Sequence, residues 1–332
     1  MASNTAPTTT STPTSTQWTS ADVPDQQGRT VVITGGNTGL GFETAQVFAR
    51  RGATVVLACR NPERAADARA RLITATPTAR VSTLKLDLAS LASIRQAAGQ
   101  LRTDHPRIDL LVNNAGGVRP RHGVSEDGFE LTLATNHLGP FAFTGLLLDR
   151  LLTTPGSRIV TVSSIGHRRG TIHFDDLNLE HGYRYQTAYF QAKLANLMFT
   201  YELQRRLAAS GAQTIAVAAH PGNARTEFGR DMSVVARTAM DPRMRLFTSW
   251  LLQSPQMGAL STLRAATDPN VDGGDYYGPP GRAQFTGHPT RVESSARSYD
   301  TEAQHRLWQE SERLTGVSYP FTGGPDGKPR PD

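Results

Sequence analysis

Short apolar, β-branched runs alternate with helix-length amphipathic stretches from Thr30 to about residue 315, and this alternation constrains the fold more than any other feature. Continuous apolar strands separated by helices are typical of a parallel sheet that helices cover on both faces. The predicted strands are Thr30–Thr34, Thr54–Ala58, Val81–Leu86, Ile108–Val112, Arg158–Ser163, Thr214–Ala219 and Asp275–Tyr277. The predicted helices lie near 40–51, 63–75, 90–103, 126–152, 187–209, 256–267 and 300–315.

Connections between parallel strands of one sheet are right-handed, which leaves few arrangements for such a chain. The pattern therefore predicts a doubly wound α/β sheet of the Rossmann type, with about seven strands in the order 3-2-1-4-5-6-7. Ligands of these sheets bind at the carboxyl ends of the strands, so we expect the functional residues to follow the strands directly.

The chain divides into one domain, predicted at 26–315, and two tails. Residues 1–20 contain eight Thr, four Ser and two Pro, with no aliphatic residue larger than Ala after Met1, so we expect 1–25 to be disordered. Residues 316–332 are rich in Pro and Gly and are predicted to form a wrapped or loose C-terminal tail. The segment 222–253 is too long for a simple connection and is predicted to be a substrate lid, although ordinary packing of a small helix is an alternative.

The charge distribution argues against a nucleic-acid partner. The chain carries 35 basic and 29 acidic residues, a net charge of +6, but the arginines are scattered rather than gathered into a basic stripe. The single cysteine, Cys59, excludes an intrachain disulfide. Because no run approaches the roughly 18 apolar residues of a membrane span and the N-terminus does not resemble a secretory signal, we expect a cytoplasmic protein without a membrane span.

A glycine-rich turn follows the first strand and reads Thr34-Gly35-Gly36-Asn37-Thr38-Gly39-Leu40-Gly41. Glycines permit a tight turn and a close approach of the backbone to a pyrophosphate, whose charge the N-terminus of the next helix attracts. The turn therefore predicts a dinucleotide site at Gly35, Asn37, Thr38, Gly39, Leu40 and Gly41.

Tyr189 and Lys193 lie four residues apart on a predicted helix, so their side chains share one face. A free phenol has a pKa of about 10, and a neighbouring ammonium favours the phenolate and brings that pKa toward the operating pH. Only three of the 35 basic residues are lysines, which makes a lysine at this spacing unlike surface decoration. The pair is predicted to be an acid–base centre.

Further motifs follow the predicted strands in order. They are Asn113-Asn114-Ala115-Gly116, Asn136-His137-Leu138-Gly139, the pair Ser163-Ser164, Tyr189-Phe190-Gln191-Ala192-Lys193 and His220-Pro221-Gly222 with Thr226. Together with the G-x-x-x-G-x-G spacing of the glycine turn they resemble the short-chain dehydrogenase/reductase family over about 28–315. The branch that holds retinol dehydrogenases, WW-domain oxidoreductases and protochlorophyllide reductases is the most similar. The arginine-rich, lysine-poor composition points to a GC-rich bacterial genome.

The resemblance implies catalytic roles for four residues. Tyr189 is the proton donor in ketone reduction and the base in alcohol oxidation, and Lys193 also holds the nicotinamide ribose. Ser164 binds the substrate oxygen, with Ser163 as the less favoured alternative, and Asn136 holds a water in a proton relay. The implied cofactor contacts beyond the glycine turn are Asp87, Leu88, Asn114, Ala115, Gly116, Tyr189, Lys193, Pro221, Gly222 and Thr226, with a plain helix N-cap as the alternative for Asp87.

The end of the second strand indicates the cofactor. No acid stands at 58–62 to bind the ribose 2′-hydroxyl of NAD, whereas Arg60 can bind a 2′-phosphate, with Arg64 assisting. We therefore expect NADP(H). The histidines show no metal-ligand spacing, and no metal is predicted.

The predicted function is NADPH-dependent, reversible reduction of a ketone to a secondary alcohol, as a tailoring ketoreductase in secondary metabolism. The loop 117–122 and the insert after Ser164, both rich in Arg and His, are predicted to rim a pocket for a polar, sugar- or nucleoside-like substrate, with solvated loops as the alternative. The insert residues are His167, Arg168, Arg169, His173, Tyr183 and Tyr185. The alternatives are reduction of a C=C or C=N bond and a non-catalytic NADP-binding redox sensor. The family often forms homodimers or homotetramers.

Overall fold

A computed structural model describes residues 17–223 and 252–321 and contains one sheet of eight strands in that part of the chain. The strand order is β3-β2-β1-β4-β5-β6-β7-β8, with β1 to β7 parallel and β8 antiparallel to β7. The strands are β1 Thr30–Thr34, β2 Thr54–Cys59, β3 Arg80–Lys85, β4 Leu110–Asn113, β5 Arg158–Val162, β6 Ile215–Ala219, β7 Tyr276–Gly278 and β8 Thr290–Arg291. The predicted doubly wound sheet and its order are confirmed, and the two-residue β8 is an addition that is too short for a sequence pattern to reveal.

The helices begin and end at residues suited to those positions. Asn61 caps the helix Pro62–Ala75 by accepting from the Arg64 N–H at 2.8 Å, and Ser90 caps the helix Leu91–Asp104 by accepting from the Ser93 N–H at 3.2 Å. Gly316 ends the helix Thr301–Thr315 in the left-handed region at φ +61°. The helices are α1 Gly39–Arg50, α2 Pro62–Ala75, α3 Leu91–Asp104, α4 Leu131–Leu133, α5 Gly139–Leu152, α6 Tyr185–Ala209, α7 Pro255–Thr267 and α8 Thr301–Thr315.

The helix predicted at 126–152 begins later, at Leu131, because the preceding residues form a bridge between Val124 and Glu130. It is also not uniform. A π-helical stretch, Ala134–Leu138, joins α4 to α5. Such stretches are frequent at functional sites.

Each face of the sheet packs against its own layer of helices. Val31 and Ile33 of β1 enter a core with Phe48 of α1, whereas Val32 enters the opposite core with Phe141 of α5. Side chains of a strand alternate between faces, and both faces are covered, so the strands are apolar throughout.

The predicted disordered segment 1–25 is too long at its C-terminal end. Trp18 and Val23 are buried in the first core, and the Trp18 carbonyl lies 2.9 Å from His288 Nδ1. The Ser-, Thr- and Pro-rich composition concealed these two apolar anchors, which offset the entropy of ordering the chain. The prediction for residues 1–16 lies outside the described part.

The C-terminal segment is wrapped rather than loose as far as residue 321. Val317 and Tyr319 are buried, and the Tyr319 hydroxyl donates to the Phe141 carbonyl at 2.7 Å. The domain therefore extends past the predicted boundary at 315. Residues 322–332, most of the predicted lid and Thr226 lie outside the described part.

The carboxyl ends of β1, β4, β5 and β6 lie side by side, and the turns that follow them carry the predicted functional residues. Within 17–223 and 252–321, no three His, Cys, Asp or Glu side chains come together as a metal site. In the same residues no helix combines the length and the apolar character that crossing a membrane requires.

Candidate active site

The glycine turn between β1 and α1 has the geometry of a phosphate cradle. Gly35 and Gly39 have φ of +66° and +54°, and a Cβ on Gly41 would lie 2.5 Å from the Gly35 carbonyl oxygen. Thr38 stands at the N-cap of α1 but its hydroxyl makes no capping bond, which leaves the first N–H groups of the helix without a side-chain acceptor. The turn, with Asn37 and Leu40 in it, fits a dinucleotide pyrophosphate.

The turn after β4 is fastened to the glycine turn. The Asn114 side chain donates to the Thr34 carbonyl at 2.8 Å, and the Thr34 hydroxyl accepts the N–H groups of Asn114 and Ala115 at 3.1 and 2.9 Å. A Cβ on Gly116 would clash with Asn136 Oδ1 and would lie 3.1 Å from Lys193 Nζ. The absence of a side chain at 116 therefore lets these two groups approach the same backbone.

Asn136 lies in the π-helical stretch and is fully buried. Its amide donates to the carbonyls of Gly117 and Thr132, both at 2.8 Å, while Oδ1 has no hydrogen-bond partner in the described part of the chain. A buried acceptor without a donor is costly, and such atoms commonly mark a bound water or a functional site. The position fits the predicted role of Asn136 in holding a water.

Tyr189 and Lys193 share one face of α6, as the spacing predicts. Lys193 is 5% exposed, and its Nζ donates to the Val162 carbonyl at 3.1 Å and lies 5.7 Å from the Tyr189 ring centre. Burial lowers the pKa of Lys193 to about 8. The Tyr189 ring is partly exposed, but burial at its hydroxyl end raises the pKa of Tyr189, and a hydrogen bond with Ser164 lowers it only in part.

The expected lowering of the Tyr189 pKa by the ammonium is therefore wrong for the protein alone. Desolvation disfavours the charged form of both groups and is the largest influence on the pKa of each. The phenol stays protonated at neutral pH, which is the form required of a proton donor.

The two serines after β5 differ in what their hydroxyls do. Ser163 is buried, and its Oγ donates to the Lys193 carbonyl at 2.7 Å. Ser164 is partly exposed, its Oγ accepts from the Gly166 N–H at 3.1 Å, and it bonds Tyr189. The structure brings Ser164, and not Ser163, to the phenol.

At the ends of β2 and β3, Cys59 pairs with Lys85 in the parallel register, so Arg60 and Asp87 follow neighbouring strands. Arg60 is exposed, as is Arg64 on α2. Asp87 Oδ1 accepts from the Ala89 N–H at 3.0 Å, but the N-cap of α3 is Ser90, so the N-cap alternative for Asp87 is wrong. Leu88 is buried.

The turn after β6 is held by residues far along the chain. Gly222 has φ +63°, and a Cβ there would clash with the Phe285 carbonyl oxygen. The Gln253 side chain donates to the Pro221 carbonyl at 2.5 Å. His220, to which no role was assigned from the sequence, is fully buried, and burial lowers its pKa to about 3.

The two loops predicted to rim the pocket contact each other. The Tyr183 hydroxyl donates to the Arg119 carbonyl at 2.6 Å, and His122 Nε2 lies 3.1 Å from the Asn178 carbonyl. Arg168 and Arg169 are exposed and Tyr185 begins α6, but His167 is fully buried, so its predicted place at the rim is wrong. A histidine in a loop suggested an exposed polar side chain, because the sequence does not show that the distant Ser295 covers it and bonds its ring.

Glu130 was missed in the sequence. It is fully buried, and its two carboxylate oxygens accept the N–H groups of Thr132 and Leu133, both at 2.7 Å. It thereby begins the helix that carries Asn136. An acid just before a helix was the available signal.

A glycine-rich turn on a doubly wound sheet, beside a Tyr–Lys pair with Ser and Asn, is the arrangement of an oxidoreductase that uses a nicotinamide dinucleotide. The sequence model of the short chain dehydrogenase family matches residues 29–234. The chain belongs to this family, in its retinol dehydrogenase branch.

Its relatives cover most of the chain. It is 41% identical to human retinol dehydrogenase 13 over 295 residues, which are 88% of this chain and 86% of the relative. It is 40% identical to dehydrogenase/reductase SDR family member 13 of Bos taurus, over 88% of this chain and 74% of the relative. A crystal structure of an uncharacterised protein from Mycobacterium paratuberculosis superposes with a TM-score of 0.75 at 40% identity, covering 92% of this chain and all of the other.

Proposed function

We propose that the protein reduces a ketone to a secondary alcohol with NADPH, reversibly, and that Tyr189 donates the proton. The observation that carries the proposal is the placement of Tyr189, which bonds Ser164 and lies one helical turn from the buried Lys193. The bound cofactor supplies the hydride for the carbonyl carbon.

In the proposed mechanism Ser164 donates a hydrogen bond to the carbonyl oxygen as negative charge develops on it. Tyr189 transfers its proton to the same oxygen, which completes the alcohol and leaves a phenolate. The Lys193 ammonium stabilises that phenolate. A water on Asn136 Oδ1 would return a proton through Lys193, since both side chains border Gly116.

NADP(H) is the proposed cofactor. The exposed guanidinium of Arg60 directly follows β2, and no acid stands at 58–62. A guanidinium binds a 2′-phosphate through charge-assisted hydrogen bonds, whereas a phosphate would be repelled by the acid that NAD sites place there.

The proposed substrate is polar and sugar- or nucleoside-like, as in a tailoring step of secondary metabolism. A retinoid is a second candidate, favoured by the 41% identity to human retinol dehydrogenase 13. The convergence of Ser164, Tyr189, Lys193 and Asn136 supports catalysis over a redox sensor. Reduction of C=C or C=N bonds, cytoplasmic localisation and a homodimer or homotetramer stay predictions.

A substrate panel tests this proposal. Consumption of NADPH and of NADH is measured with polar ketones, retinal and conjugated alkenes, and the products are identified by mass spectrometry. We expect a secondary alcohol from a polar ketone with NADPH. Exclusive reduction of alkenes, or no turnover while NADPH binds, would contradict it.

A further inference from the structure

We infer that His167 is a positioning residue for Ser164, because the hydrogen bond that its ring donates to the backbone carbonyl of that serine keeps the hydroxyl aligned with Tyr189. The inference rests on the proposed function, which assigns Ser164 and Tyr189 to the reaction. His167 lies in the 3₁₀ helix Ile165–Arg169, which begins directly after Ser164, and is fully buried.

Both ring nitrogens of His167 have partners. Nδ1 lies 2.6 Å from the Ser164 carbonyl oxygen, and the Ser295 N–H donates to Nε2 at 3.1 Å. A carbonyl oxygen only accepts, so Nδ1 carries the hydrogen; a backbone N–H only donates, so Nε2 is bare. These partners assign a single neutral tautomer to the ring.

The ring remains in this state across ordinary pH. Burial lowers the pKa of His167 to about 4, against the opposing effect of the hydrogen bond to Ser164 and with a smaller lowering by the charge of Arg168. Protonation would also place a hydrogen on Nε2 against the Ser295 N–H. The connection between Ser164 and Ser295 is thus constant, and not a pH switch.

The same turn is held by two further contacts with residues 282–297. Arg168 donates to the Arg282 carbonyl at 3.0 Å, and Arg297 donates to the Gly170 carbonyl at 2.9 Å. These contacts involve Arg168 and Gly170 and do not reach Ser164. The Ser164 carbonyl itself accepts from the ring of His167 and, at 3.0 Å, from the His167 backbone N–H.

This arrangement matters because Ser164 must aim its hydroxyl at a reacting oxygen beside Tyr189. Misplacement of a catalytic group by about 1 Å can cost on the order of 100-fold in rate. Ser164 is the N-cap of its 3₁₀ helix with extended backbone, at φ −157° and ψ 156°, so rotation of that backbone would turn the hydroxyl away.

Two substitutions of His167 each keep one of its two ring contacts and remove the other. In His167→Asn the side-chain N–H can replace Nδ1 and keep the bond to Ser164, whereas in His167→Gln the side-chain oxygen can replace Nε2 and keep only the bond to Ser295. We expect His167→Asn to keep kcat within about 3-fold and His167→Gln to lower it by about 10- to 100-fold, with little change in the KM for NADPH.

His105→Asn and His105→Gln are the matched controls. His105 follows α3 and, among the described residues, has only a backbone hydrogen bond, to Leu101, so neither change should alter kcat. Melting temperatures show whether each variant is folded. If His167→Gln does not fold, His167→Leu replaces it, since an apolar side chain suits a buried position and makes neither ring contact; kcat should again fall by about 10- to 100-fold relative to His167→Asn.

The experiment measures kcat and KM for these variants, together with amide hydrogen exchange over residues 163–170. A lower kcat in His167→Gln together with a near wild-type kcat in His167→Asn supports the positioning role, whereas an equal kcat in both variants, whether high or low, overturns it. If the wild-type protein reduces no ketone, the proposed function fails, and the amide hydrogen exchange of residues 163–170 tests the inference instead. Faster exchange in His167→Gln than in His167→Asn then supports it, and equal exchange overturns it.

Discussion

The Lys193 ammonium lies 5.7 Å from the ring centre of Tyr189, and burial moves both groups toward their neutral forms. Sequence spacing places the two side chains on one face of a helix but does not show how much water reaches them. The consequence is an acid that holds its proton beside a lysine with a pKa of about 8. Both groups are destabilised in their charged forms, which is a common property of catalytic residues.

Replacing Lys193 by Met should stabilise the protein and abolish turnover. The Val162 carbonyl keeps a donor in Asn196 at 3.1 Å, so the change removes a buried charge without leaving that oxygen unpaired. We expect a gain of about 1–3 kcal/mol in unfolding free energy at pH 7. Denaturant unfolding and kcat measure the two effects, and a loss of stability would contradict the burial argument.

The advantage of Lys193→Met should vanish at high pH. Lys193 has a pKa of about 8 when folded against 10.5 for the free side chain, so between these values the unfolded chain binds more protons. Stability of the wild-type protein therefore rises with pH in this window relative to the variant. Unfolding curves from pH 7 to about 10.5 check the sign, and a constant difference between the proteins would refute it.

Alanine substitutions at the two adjacent serines should affect different properties, kcat at Ser164 and stability at Ser163. Ser164→Ala removes a donor to the substrate oxygen and should lower kcat by about 100- to 1,000-fold with little change in stability. Ser163→Ala removes a buried bond to the Lys193 carbonyl and should cost about 1 kcal/mol of stability with a smaller effect on kcat. The reverse pattern in kcat would make Ser163 the substrate-binding serine.

Arg60 should decide between the two nicotinamide cofactors. Arg60→Gln removes a charge-assisted contact and should raise the Kd of NADPH by about 10- to 100-fold while that of NADH changes little. Fluorescence titration with both cofactors measures this. Arg50→Gln is the control, since Arg50 is an exposed arginine at the C-terminal end of α1. An equal loss of affinity for NADPH and NADH in Arg60→Gln would argue against a 2′-phosphate contact.

The C-terminal segment should contribute to stability. Tyr319→Ala removes a buried ring and a hydrogen bond to Phe141, and we expect a loss of about 3 kcal/mol in unfolding free energy. Tyr299→Ala, at a ring that is 49% exposed, should cost less than half as much. Thermal and denaturant unfolding test both variants. Equal losses of unfolding free energy would show that the burial of Tyr319 does not contribute to stability.

Local patterns predict most of this fold. The strand Thr30–Thr34 is predicted at its observed residues because both of its faces are buried. Contacts between distant segments were not predictable: Trp18 was assigned to a disordered tail although it packs in the core, and His167 was assigned to a rim although Ser295 bonds its ring. Neither residue has a neighbour in sequence that reveals its partner.

That Tyr189 and Lys193 share one face of a helix was predictable, but their protonation was not. Spacing places the two side chains together, since a helix fixes which side chains share a face. Their pKa values depend on how completely α6 and the turn after β5 exclude water, and that is a property of the packed structure.

The kcat of Tyr189→Phe tests the central claim most directly. The change keeps the ring and removes only the proton that the mechanism requires. Tyr319→Phe, at a second buried tyrosine whose hydroxyl is also hydrogen-bonded, serves as the control. We predict a fall in kcat of about 100- to 10,000-fold in Tyr189→Phe, with the Kd of NADPH unchanged and full activity in the control. Turnover by Tyr189→Phe at the wild-type rate would show that another group donates the proton.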